Sequence, residues 1–163
     1  MKHAIVTGAG GDIGACITEL AVNRGYRVAA IDVQSDQIDA LAHRLEGVVP
    51  IVADITDPTA VKKAFDEFDC VPDLLVNNAG LVRFGPLETL AVRDFQDVVN
   101  VNLVGSFIVA REAAVRMKAG GGGAIVNITS MGGIHPAPGG GAYGASKAGL
   151  AQMTELMSVE WGP

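Results

Sequence analysis

Ala4-Ile5-Val6-Thr7-Gly8-Ala9-Gly10-Gly11-Asp12-Ile13-Gly14 is the stretch on which the reading of this chain turns. Ala4–Thr7 is a short aliphatic run of the kind that forms a buried strand. A glycine-rich turn follows. Ile13, Ile17, Leu20 and Ala21 then recur at helical spacing, giving a helix over Ile13–Arg24 that Gly25 stops. A turn without Cβ atoms lets backbone approach a pyrophosphate, and a helix start offers free N–H groups at its positive dipole end. The same turn could also be a tight strand-to-helix connection with no ligand; its strand-turn-helix context favours the dinucleotide.

Working outward, further strands are expected at Val28–Ile31, Val49–Ala53, Leu74–Asn77 and Ala124–Ile128. Helices are expected at Ser35–Leu45, Pro58–Phe68, Val92–Lys118 and Ala142–Glu160, the second opened by Asp57 as N-cap with Pro58 behind it. Five strands alternating with helices predict an α/β fold, a doubly wound, Rossmann-type parallel sheet with helices on both faces. The chain of 163 residues suits a single dinucleotide-binding domain over residues 1–163. It stops at Trp161-Gly162-Pro163, after a helix that should lead into another strand, so a C-terminal part is expected to be missing.

Composition narrows the function classes. Charged residues make up 18% and hydrophobic residues 49%, which speaks against disorder. The net charge of −6, without a Lys/Arg cluster, makes the chain a poor partner for nucleic acid or anionic membranes. Val98–Ala110 is apolar but interrupted by Asn100, Asn102 and Ser106, so no membrane span is expected. Cys16, on the expected apolar face of the first helix, and Cys70 read as packed thiols, and no metal site is expected. The reading is a cytoplasmic protein. Val98–Ala113 is apolar around more of its circumference than one sheet face can cover, which predicts a homo-oligomer, a dimer or tetramer.

Asp32 ends the second strand. A carboxylate there accepts hydrogen bonds from the adenosine ribose hydroxyls and repels a 2′-phosphate; Val33-Gln34-Ser35-Asp36 brings no cation to welcome one. NAD is therefore expected over NADP. Tyr143 and Lys147 are four apart at a helix start and share a face. A phenol is a weak base at neutral pH, and a lysine cation beside it favours the phenolate. Ser130, at the end of the fifth strand, could donate to a substrate carbonyl oxygen while Tyr143 supplies the proton. A tyrosine and lysine so spaced also occur as a packing residue and a solvated charge.

The order Thr7-Gly8-x-x-x-x-Ile13-Gly14, Asp32, Asn77-Asn78-Ala79-Gly80, Asn102, Ser130, Tyr143-x-x-x-Lys147 resembles the short-chain dehydrogenase/reductase family over essentially the whole chain. The resemblance implies hydride transfer between NAD(H) and a secondary alcohol or ketone. It implies Tyr143 as general acid/base, Lys147 as the cation that activates it and holds the nicotinamide ribose, and Ser130 as the group that polarises the substrate oxygen. Asn102 matches an asparagine that supports a water in the proton relay. Gly8, Asp12, Ile13 and Gly14 would cradle the pyrophosphate, Asp54 and Ile55 would contact adenine, and Asn78, Ala79 and Gly80 would lie beside the cofactor. The family's relatives pair subunits through the last two long helices. Asp12 stands where the family has a glycine, and a carboxylate near a pyrophosphate is expected to weaken affinity. Arg83 and His135 follow the fourth and fifth strands, where a polar substrate could meet them or where they are solvated loop residues. A nucleotide-binding module without turnover, acting as sensor or scaffold, stays open as the alternative. So does a related enzyme that oxidises transiently during epimerisation or dehydration.

Overall fold

A computed structural model describes residues 1–162. Strands β1 (Lys2–Thr7), β2 (Tyr26–Asp32), β3 (Val48–Val52), β4 (Leu74–Asn77) and β5 (Ala124–Asn127) form one parallel sheet in the order β3-β2-β1-β4-β5. The helices are α1 (Asp12–Asn23), α2 (Ser35–Arg44), α3 (Pro58–Phe68), α4 (Val92–Val99), α5 (Ser106–Gly120) and α6 (Gly141–Trp161). Pro50 sits in β3, at one edge of the sheet, where a strand tolerates a residue without an N–H. β5 is the other edge among the described residues.

Alternate residues of the strands feed two apolar layers. One packs Ile5, Ala29, Ile31, Ile51 and Leu75 against α3 and α5 through Val61, Phe65, Phe68, Val109 and Ala113. The other packs Ala4, Val6, Val28, Ala30 and Val76 against α1 and α2 through Ala21 and Ile38. β1 and β2 are buried on both faces, which is why they read as continuous apolar runs.

Three local expectations change. In α1 the buried residues are Gly14, Thr18 and Ala21, whereas Ile13 and Leu20 are exposed. A Cβ on Gly14 would lie 2.0 Å from the Gly8 carbonyl oxygen, so α1 must turn its glycine to the turn that follows β1, and Ile13 faces the cleft described below. The same rotation leaves Cys16 exposed rather than packed. The expected long helix at Val92–Lys118 is a continuous helical stretch, Val92–Gly120, interrupted by a π turn at Asn100–Gly105. At 29 residues it is long and apolar enough to cross a membrane. Val98, Asn102, Ser106, Val109, Ala110 and Ala113 are nonetheless buried against the sheet and α6. Finally, β5 stops at Asn127, so Ser130 lies beyond the strand and caps a 3-10 turn at Met131–Gly133.

Candidate active site

The strand order reverses between β1 and β4, and an open sheet binds ligands outside the strand ends at such a point. The two ends are latched there. Thr7 Oγ1 accepts the backbone N–H groups of Asn78 at 3.1 Å and Ala79 at 3.2 Å. Asn78 Nδ2 donates back to the carbonyls of Thr7 at 3.2 Å and Gly8 at 3.0 Å. Gly8 has φ of 63°, and a Cβ on it would meet the Ala79 backbone at 2.7 Å. Only glycine fits both conditions.

A cleft of about 1070 Å³ opens over this latch. Its walls include Gly8, Asp12, Ile13 and Gly14 from the turn, Asp32 from β2, Asp54 and Ile55 after β3, and Asn78, Ala79 and Gly80 after β4. Ser130, Tyr143 and Lys147 close the far end. The turn fits a dinucleotide phosphate: Gly8, Gly10 and Gly11 carry no Cβ, and α1 begins there with no side-chain cap on its free N–H groups. Asp32 is held in place, its Oδ2 accepting from Gly10 N at 2.9 Å and its Oδ1 from Gln34 N at 3.1 Å. Asp54 is turned toward Thr56, whose N–H and hydroxyl both donate to its Oδ1 at 2.8 Å. Asp12 occupies the first position of α1, exposed, and contributes to the cleft wall.

At the far end, a Cβ on Gly144 would lie 2.7 Å from the Gly132 carbonyl oxygen, and one on Gly133 2.7 Å from the Ala148 nitrogen. The 3-10 turn therefore rests directly on the first turns of α6, backbone on backbone. That contact leaves Gly132 between Ser130 and Tyr143: a Cβ on Gly132 would lie 3.5 Å from Ser130 Oγ and 3.7 Å from the Tyr143 ring. Ser130 Oγ accepts from Gly132 N at 3.1 Å, which orients it. Lys147 Nζ sits 5.8 Å from the Tyr143 ring centre and donates to the Ile128 carbonyl at 2.7 Å. Burial holds the Lys147 ammonium below the usual lysine range.

Asn102 stands behind the cleft, fully buried in the π turn. Its Oδ1 accepts from Leu81 N at 2.7 Å, and its Nδ2 donates to the Leu81 carbonyl at 2.9 Å and to Ser146 Oγ at 2.9 Å. Ser146 Oγ in turn donates to the Tyr143 carbonyl at 2.7 Å. Arg83 and His135 stay off the cleft wall. The Arg83 guanidinium is engaged by the Val82 carbonyl at 3.2 Å and lies 3.8 Å from Asp94, while His135 is exposed on the turn after Gly133. Sequence reasoning passed over Leu81, Thr129 and Gln37, which line the cleft, and over Ser146, which supports Tyr143. The glycine-rich run from Gly132 to Gly144 was the available signal for the contact beneath Ser130.

A family model for short chain dehydrogenases matches residues 2–163. The chain belongs to the short-chain dehydrogenase/reductase family. It is 36% identical to a D-threitol dehydrogenase of Mycolicibacterium smegmatis over 99% of its own length and 65% of that protein. It is 33% identical to an NAD-dependent glycerol dehydrogenase of Listeria innocua over 99% of its length and again 65% of the relative. A solved short chain dehydrogenase/reductase family protein superposes with a TM-score of 0.94 at 30% identity, covering 99% of this chain and 68% of that one. The chain thus spans about two thirds of the length of the relatives it matches.

Proposed function

We propose that this chain carries the cofactor site and proton-transfer group of an NAD-dependent oxidoreductase interconverting a secondary alcohol and a ketone. The observation that carries the reading is that one cleft joins a buttressed Asp32 at its adenosine end to Ser130, Tyr143 and Lys147 at the other. When bound, NAD⁺ supplies the hydride acceptor. The Tyr143 hydroxyl, as phenolate, takes the proton from the substrate hydroxyl; Ser130 Oγ hydrogen-bonds the same oxygen and steadies its developing charge. Lys147 would hold the nicotinamide ribose, and Asn102 positions the Leu81 backbone and, through Ser146, Tyr143 from behind. Overall, an alcohol and NAD⁺ give a ketone, NADH and a proton. The threitol and glycerol dehydrogenases among its relatives favour small polyols as the first substrates to test.

Two free cysteines, Cys16 and Cys70, suit a reducing, cytoplasmic compartment. Exposed Val104, Phe107 and Val115 on the stretch Val92–Gly120, with Leu156 and Val159 on α6, favour a homo-oligomer built on these helices. Light scattering on a folded sample that returned only the monomer mass at tens of micromolar would overturn that assembly.

The decisive experiment pairs calorimetric titration of NAD and NADP with NADH absorbance on addition of secondary alcohols and polyols. Binding of NAD at least tenfold tighter than NADP, with NADH production, is expected. Tight NAD binding with no turnover on any alcohol would favour the binding module instead.

A further inference from the structure

Gln37 lies in the first turn of α2 and contributes to the wall of the cleft beside Asp32. A Cβ built on Gly10 would sit 2.6 Å from Gln37 Oε1, 2.8 Å from Gln37 Cβ and 3.1 Å from Asp32 Oδ2. The second distance matters most. A Cβ cannot swing away as a side-chain tip can, so the start of α2 rests on Gly10 at a position set by its backbone. Asp32 is fixed to the same two elements, through Gly10 N at 2.9 Å and Gln34 N at 3.1 Å. The carboxylate, the bare Gly10 and the Gln37 stem therefore form one three-sided corner. Among the described residues that line the cleft, Lys147 is the one cation, and it lies at the opposite end.

We propose that Gln37 is a specificity-determining residue for the cofactor. Its carboxamide fills the space beside Asp32 that an added ribose 2′-phosphate would need. Asp32 rejects the phosphate by charge; Gln37 rejects it by occupancy. Gly10 is the enabling position, because a side chain there would push Gln37 out of the corner. This inference rests on the NAD reading given above.

The test measures dissociation constants for NAD and NADP by calorimetry and needs no turnover. Gln37 is exposed, so Gln37→Ala is expected to leave the fold intact, which circular dichroism checks. Gln37→Ala should lower the ratio Kd(NADP)/Kd(NAD) at least threefold while changing Kd(NAD) less than twofold. Gln37→Arg should lower the ratio at least tenfold, because a guanidinium set in the same corner pairs with the phosphate. Gly10→Ala should lower it in the same direction by displacing Gln37. An unchanged ratio in Gln37→Ala, or a loss of NAD affinity alone, overturns the role while leaving the NAD reading standing. Failure of the unmodified chain to bind either dinucleotide overturns both.

Discussion

Asn102 pairs with the backbone of Leu81 as a neighbouring strand would, accepting its N–H at 2.7 Å and donating to its carbonyl at 2.9 Å. A side-chain amide thus satisfies both polar groups of a residue on the cleft wall, and its remaining hydrogen reaches Ser146. Asn102→Ala leaves buried groups unpaired and is expected to destabilise the chain by ~3 kcal/mol, lowering Tm by about 6–12 °C. Thermal unfolding followed by circular dichroism measures it; a loss below 2 °C would remove Asn102 from its supporting role.

Tyr143→Phe keeps the ring and removes the proton carrier. Turnover should fall by a factor on the order of a thousand while Kd for NAD stays within about twofold. Steady-state NADH absorbance and calorimetry on the same preparation separate the two effects. Retention of most of the activity would move the acid/base role elsewhere.

Lys147→Met should divide function from stability. Burial depresses the lysine pKa in the folded chain, so the unfolded chain holds the extra proton over the window below the ordinary lysine value. The stability owed to this group is therefore reduced at neutral pH and recovers as pH rises through that window. The methionine variant has no such dependence. Relative to the parent, it should gain more in Tm near pH 7 than near pH ~10, while NAD binding weakens. A constant difference across the range would assign the effect to packing alone.

Asp12 places a carboxylate at the first position of α1, where a pyrophosphate would lie. Asp12→Asn keeps the size and removes the charge. NAD should bind about two- to fivefold more tightly at low ionic strength, with the gain fading as salt screens the repulsion. Titrations at two salt concentrations that agree would show that the carboxylate points away from the phosphates.

Thr18 is fully buried on the inner face of α1, and its hydroxyl has no hydrogen-bond partner among the described residues. Thr18→Val exchanges an unsatisfied oxygen for a methyl group of similar size. Stability should rise by ~1 kcal/mol, or about 2–4 °C in Tm. A destabilised variant would indicate that the hydroxyl is satisfied in solution.

The elements of this fold were readable because strand and helix patterns agree with local turn chemistry: Leu74–Asn77 and Pro58–Phe68 have the bounds the sequence suggests. Asp57 caps α3 by accepting from Thr59 N at 2.8 Å, as its place before proline implies. The facing of α1 was not readable, because spacing gives a stripe and not its rotation. The rotation is set by how near Gly14 comes to Gly8, a distance between residues on different elements. The π turn escaped for a related reason: Asn102 looks like a polar interruption until its partners at Leu81 and Ser146 are placed beside it. Ser130, Tyr143 and Lys147 were legible as types and spacing. The backbone contact of Gly132 and Gly133 with α6, beside which both residues sit, required three dimensions.

Among the described residues β5 has one neighbour in the sheet, and its backbone tells time. The N–H groups of Ala124 and Ile128 donate to β4 residues or their flank, Asp73 and Asn77, at 2.9 Å each. Because successive amides of a strand point to opposite sides, those of Ile125 and Asn127 face the open edge. In deuterated water the strand should therefore record an alternating pattern, slow at Ala124 and Ile128 and fast at Ile125 and Asn127. Any segment that later docks along β5 would slow the fast pair and leave the slow pair unchanged, so two amides form a built-in reporter of what joins this sheet.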